Sequence, residues 1–328
     1  MTTTILASFA LALAASPNRL VPFTDLPEFP SKGGTVQKVY ENVDPGMVFD
    51  EAIASWNVKN APGAAIQIEV RAKVEQGFTK WYVLSRWSGD PALSPRASVA
   101  DQKDEDGDVL TDTLRLNELS DRLDLRVTLQ NLGDGRPRLS LLALSLHNRS
   151  AATIAPPEVR SGAWGKLTEV PQRGQGNYPR GEVLCSPTSL SMLLWHWSNR
   201  LSRPELNRDV PEVEAAVWDP VYDGAGNWPF NTAYAGSFDG ICAYVARFNS
   251  MVDAEKWVEA GLPVICSVSL DLLRGKAEAR PSGHLVVLIG FTEEGDPIFN
   301  DPAKKDEVRR VYKRAYFERA WLVSKRAV

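Results

Sequence analysis

Histidine and cysteine are both scarce in this 328-residue chain, with only three of each: His147, His196 and His284, and Cys185, Cys242 and Cys266. A zinc site is therefore poorly supplied. Basic residues are not in excess either. The 37 Lys and Arg stand against 41 Asp and Glu, for a formal charge of −4 and a pI near 5.6, which leaves no basic footprint for nucleic acid. No apolar run approaches the length that spans a bilayer. The acidic stretch 101–108 fails the register of a calcium loop, because Gln102 and Thr113 fall where the first and closing ligands belong, so it reads as a solvated loop. No metal and no cofactor is expected.

What is present has the size and balance of two compact domains: 44% hydrophobic and 24% charged residues over about twice a typical domain length. The expected division is a signal-like segment at 1–21, an accessory domain at 22–148, a linker at 149–160 and a second domain at 161–328. Residues 5–15 have the length of a signal-peptide core, and Ala12-Leu13-Ala14 fits a small-x-small cleavage site, although no Lys or Arg precedes it. Secretion is expected ahead of a cytoplasmic location. The cysteines fit either compartment: Cys185 must stay free for the role below, whereas Cys242 and Cys266 pair or sit buried, with Cys266 read as core.

Strand-like segments recur at 49–56, 64–74, 81–87, 109–116, 123–130 and 139–146, separated by turns rich in Asn, Gly, Pro and Asp. Ile66, Ile68, Val70 and Ala72 alternate with Gln67, Glu69, Arg71 and Lys73, the period of a half-buried strand. An antiparallel, jelly-roll-like sandwich follows. Many carbohydrate-binding modules share that class, which makes a glycan or cell-wall ligand one expectation, with Trp56, Trp81, Trp87 and Tyr82 as stacking residues; the alternative is that these aromatics fill the core.

The second half carries the chemistry. Cys185 opens an apolar helix with Pro187 in its first turn and Leu190, Leu193, Leu194 and Trp197 at helical spacing. A thiol there meets free backbone N–H groups and the positive end of the helix dipole, which favour thiolate. Further on, Gly283-His284-Leu-Val-Val-Leu-Ile-Gly-Phe291 reads as a strand, followed by a Gly-bearing turn and a second strand ending at Asn300-Asp301-Pro302. Antiparallel pairing brings His284 and Asp301 together. A Cys/His/Asp set results, in which His moves the thiol proton and the carboxylate orients the imidazole.

These motifs resemble the papain-like cysteine peptidases of the bacteriocin-processing, double-glycine-leader type, in a stand-alone form without a transporter. The resemblance covers about 170–317 and implies an α+β chain in which the sandwich precedes a papain-like peptidase domain. It implies Cys185 as nucleophile, His284 as base and Asp301 as orienter. In that family a Gln upstream of the Cys usually completes the oxyanion hole. Gln175 and Gln172 lie ten and thirteen positions before Cys185, wider than the short papain-like spacing; Gln175 is preferred if Gly176-Asn-Tyr-Pro-Arg-Gly181 is a local insertion.

The remainder of this half is expected to hold a helix at 206–217, a strand at 243–248, a helix at 250–260 and a strand at 263–269. Between the first two, 222–237 reads as a long aromatic loop forming a cleft wall, with Asn227 or Trp228 touching substrate. His196 lies eleven residues after Cys185, about 16 Å along the same helix and out of reach. The expected function is hydrolysis of a peptide or protein through a thioester. The alternatives are acyl transfer to an amine, as in a transpeptidase or transglutaminase-like enzyme, and a catalytically silent glycan- or wall-binding protein.

Overall fold

The computed structural model describes residues 16–151, 161–278 and 283–328. The signal-like stretch 5–15 and most of the expected linker lie outside them. Ten strands come first: β1 (Asn18–Pro22), β2 (Thr35–Val43), β3 (Phe49–Lys59), β4 (Ala64–Val74), β5 (Gly77–Phe78), β6 (Tyr82–Ser88), β7 (Gly107–Leu110), β8 (Thr113–Ser120), β9 (Leu123–Asn131) and β10 (Arg138–His147). They form two antiparallel sheets, ordered β1-β10-β3-β8-β7 and β2-β9-β4-β6, with the short β5 on the end of β4. First pairs with last, second with ninth and third with eighth, as in a jelly roll, whereas β4 pairs with β9, β5 and β6 and not with β7.

The sheets close on one core. Ile66, Ile68, Val70 and Ala72 of β4 point into it, while Gln67 and Arg71 on the other face remain partly exposed. Trp56, Tyr82 and Trp87 belong to that core, with Trp56 and Trp87 packed edge-on at 6.2 Å. Trp81, half-buried, carries the guanidinium groups of Arg71 and Arg126 at 4.8 and 4.3 Å from its ring centroid. The reading of these four aromatics as glycan-stacking residues is therefore corrected: three have no exposed face and the fourth is covered by cations.

The second module consists of helices α1 (Cys185–Leu201), α2 (Val210–Val217), α3 (Trp228–Ala235) and α4 (Met251–Glu259), strand β11 (Val264–Ser269), a short α5 (Leu270–Leu273), strands β12 (Gly283–Phe291), β13 (Pro297–Asn300) and β14 (Arg309–Val311), and α6 (Arg314–Leu322). The sheet β11-β12-β13-β14 is antiparallel, and the chain taken as a whole is α+β, with its helices in the second half. No helix of the described residues is long and apolar enough to cross a membrane.

Two expectations need correction here. The loop at 222–237 contains α3, begun by Asn227 as N-cap with Pro229 in the first turn. The strand expected at 243–248 is extended but unladdered, because its partners are side chains of β3 and the backbone of the last residues: Ala246 and Val328 exchange N–H···O bonds of 3.0 and 2.9 Å.

β3 is buried along all eleven residues. One face, with Ala52, Ala54, Trp56 and Val58, lies in the jelly-roll core. The other is polar and grips the second module. Ser55 Oγ accepts from Val245 N at 2.9 Å, Asn57 both donates to Ala243 O and accepts from Ala243 N, and Lys59 Nζ donates to the carbonyls of Gly236, Phe238 and Ile241. Glu51 pairs with Arg247 at 3.0 Å, both side chains almost fully buried. The modules are thus joined by a hydrogen-bonded seam, which satisfies polar groups that burial would otherwise penalise, and beside it by apolar packing, with Trp56 edge-on to Phe230 of the second module at 6.3 Å.

Candidate active site

Helix α1 presents Cys185 at its first residue, and Pro187 stands where no N–H is needed for helix bonding. Opposite it, β12 carries His284, whose strand partner across β11 is Val268. The turn to β13 and the bulge between Leu288 and Gly290 return the chain so that Asp301, one residue past β13, meets the histidine. His284 Nε2 and Asp301 Oδ1 lie 2.7 Å apart, and both side chains are buried. With Nε2 taken by Asp301, Nδ1 is the nitrogen left to act on the Cys185 thiol, and each of the two groups shifts the pKa of the other.

Each group is held by more than its neighbour. Asp301 Oδ1 also accepts from Ala303 N at 2.9 Å, and Oδ2 accepts from Tyr312 Oη at 2.6 Å. At Cys185 the backbone N–H groups of Ser186 and Leu285 act together with His284 in favour of the charged sulfur. These contacts decide the protonation states. Burial alone would push the Cys185 thiol up, but the bond and charge of His284 and the two N–H groups outweigh it and lower its pKa. Burial likewise opposes charge on His284, yet its bonds to Asp301 and Cys185 raise it to about 9. Asp301 falls to about 2, because His284 and Tyr312 overcome its desolvation. Both influences act in the direction of thiolate beside imidazolium, the arrangement that makes a sulfur nucleophile.

Gln175 opens a 3-10 turn (Gln175–Asn177) and a second (Gly181–Val183) leads into α1. The excursion between them closes on itself: a Cβ on Gly181 would stand 2.1 Å from Gln175 O, so only glycine lets the chain return there. The Gln175 backbone N–H donates to Pro302 O at 2.9 Å, next to Asp301, and its buried Oε1 has no hydrogen-bond partner among the described residues. Gln172 is exposed and accepts from Arg309 N at 3.1 Å, away from this arrangement.

Asn227 is not available to substrate, and that expectation is corrected. It is 2% exposed; Oδ1 caps α3 through Phe230 N and Nδ2 donates to Asp219 Oδ2 at 2.9 Å. Trp228 is half-buried and forms part of the wall, with Ser186, Leu190, Cys242 and Leu285, of an apolar cavity of about 410 Å³ behind α1. Sequence reasoning missed Tyr312, which lies beyond the hairpin, and Asn231, whose Oδ1 accepts from Ser186 Oγ at 3.0 Å. The Asn-x-Pro start of α3 was the available signal for the latter.

The other histidines serve the fold. His196 Nδ1 meets Glu169 O at 2.9 Å and His147 Nδ1 meets Asn18 Oδ1 at 2.7 Å. Burial lowers both, His147 to about 4 with help from Arg247. Among the described residues no group of three or more His, Cys, Asp and Glu could hold a metal ion.

Residues 38–146 match the family model described as Peptidase C39 N-terminal domain, and residues 167–328 match the Peptidase_C39 like family. No curated protein matches the chain.

Proposed function

The chain is a C39 peptidase-like protein, and on that premise we propose that it is a cysteine peptidase acting through Cys185, His284 and Asp301. The observation that carries this is the buried His284–Asp301 pair, 2.7 Å apart, acting on a cysteine at the start of α1, with Cys185 lowered and His284 raised. In the proposed reaction the Cys185 thiolate adds to a peptide carbonyl carbon. His284 gives its proton to the departing amine as the C–N bond breaks, leaving a thioester. Water then adds, His284 takes its proton, and the carboxylic product leaves the sulfur. The backbone N–H of Cys185 and the side-chain N–H group of Gln175 are assigned to the oxyanion.

Hydrolysis of a mixed peptide library, read by mass spectrometry for the wild type and Cys185→Ala, tests this. Cleavage that disappears in the variant is expected, by at least about 10⁴-fold. Products joined to an added amine would identify the acyl-transfer alternative, and no Cys185-dependent product would identify a silent binding protein.

A further inference from the structure

Residues 219–224 form a turn whose centre is the carboxylate of Asp219, fully buried. Its Oδ1 accepts from Val221 N and Tyr222 N at 3.1 and 3.3 Å, and Asp219 and Gly224 exchange backbone bonds of 2.9 and 3.2 Å. The remaining donors are Asn227 Nδ2 and, from the jelly roll, Ser98 N at 3.1 and 3.2 Å from the two oxygens. Two residues earlier Arg96 caps the end of α2 by donating to Ala215 O at 2.6 Å. A buried carboxylate keeps its geometry only while its donors are in place. The jelly roll therefore fixes this turn.

Tyr222, about half exposed, is what the turn presents. Its ring lies across two glycines: a Cβ on Gly224 would stand 3.0 Å from the ring and one on Gly226 3.0 Å from the hydroxyl. The neighbour of Gly226, Ala225, accepts from Asn231 Nδ2 at 3.0 Å, and Asn231 Oδ1 accepts from Ser186, the residue after Cys185. Hydrogen bonds thus run from the end of the glycine cradle to Ser186, the residue that follows the nucleophile.

We propose that the jelly roll is a working wall of the cleft, clamping Asp219 so that Tyr222 overhangs Cys185 and positions the bound peptide with its ring and hydroxyl. This rests on Cys185 being the nucleophile. Burial, followed by the nearby negative charge of Cys185, Asp112 and Asp219, raises the Tyr222 pKa, so the hydroxyl stays a donor.

Tyr222→Ala and Tyr222→Phe test the proposal through two readouts, kinetics on the best library peptide and the rate of Cys185 alkylation by iodoacetamide. Tyr222→Ala is expected to raise KM about tenfold and to speed alkylation severalfold by uncovering the sulfur. Tyr222→Phe should keep the wild-type alkylation rate and show the smaller rise in KM. Arg96→Ala, altered on the jelly-roll side alone, should move both readouts as Tyr222→Ala does. Unchanged KM and alkylation in Tyr222→Ala, with thermal unfolding also unchanged, overturns the proposal. If the wild type cleaves no peptide, faster alkylation in Tyr222→Ala still upholds the wall and places the failure with the peptidase reading.

Discussion

Cys185 and Cys266 belong to the same module; Cys266 is buried and Cys185 partly so. Cys266 sits on β11 opposite Val286, two residues along β12 from His284, yet only burial acts on it, and burial pushes its pKa up. Cys185, at a helix start, meets an imidazolium and two N–H groups, and these reverse the sign of the same burial effect. The three histidines repeat the lesson. His147 and His196 are lowered by burial, with Arg247 and Arg200 adding to it, whereas His284, no less buried, is raised because Asp301 and Cys185 flank it. Desolvation sets what charge costs here; fixed partners set whether it forms.

His284→Ala would break that contrast most severely. Without its imidazolium Cys185 should behave as an ordinary thiol, with kcat down about 10³- to 10⁴-fold and iodoacetamide alkylation near pH 7 slowed to match. A pH profile of kcat/KM would sharpen it further. The active pair needs Cys185 deprotonated and His284 protonated. Activity should rise as pH climbs through the lowered thiol pKa and fall as it passes about 9, where His284 loses its proton, about tenfold per unit beyond. The mildest test is Cys266→Ser, which should leave kcat/KM within twofold while lowering urea stability by about 1–3 kcal/mol, since a hydroxyl placed in that core finds no partner.

Much of this organisation could be read from the chain. Strands β3, β4, β9 and β10 follow apolar segments bounded by Gly, Pro and Asn, and their alternation fixes which side faces the core. His284 and Asp301 meet for a local reason, a short turn between two strands. The misreadings have one physical cause, which is that a polar residue looks the same in sequence whether water or backbone satisfies it. Asn227 looked like a cleft residue and is a helix cap. Residues 243–248 looked like a strand because they are extended, although Ser55 and Asn57 supply the bonds a neighbouring strand would give. β1 and β2 were missed because they are short or edge-lying, with charged and polar residues on the wet face.

The polar outer face of β3 has a consequence for synthesis. The jelly roll is not closed until β10 has emerged, because β1 and β3 both pair with it, and the carbonyls that receive Lys59 lie about 90 residues later still. On a ribosome adding roughly 5–20 residues per second, that face waits for seconds without its partner. Glu51, Ser55, Asn57 and Lys59 can be served by water during the delay. A strip of leucines in their place would leave a sticky surface on every nascent chain, so the seam that joins the two modules also keeps the half-made protein from its neighbours.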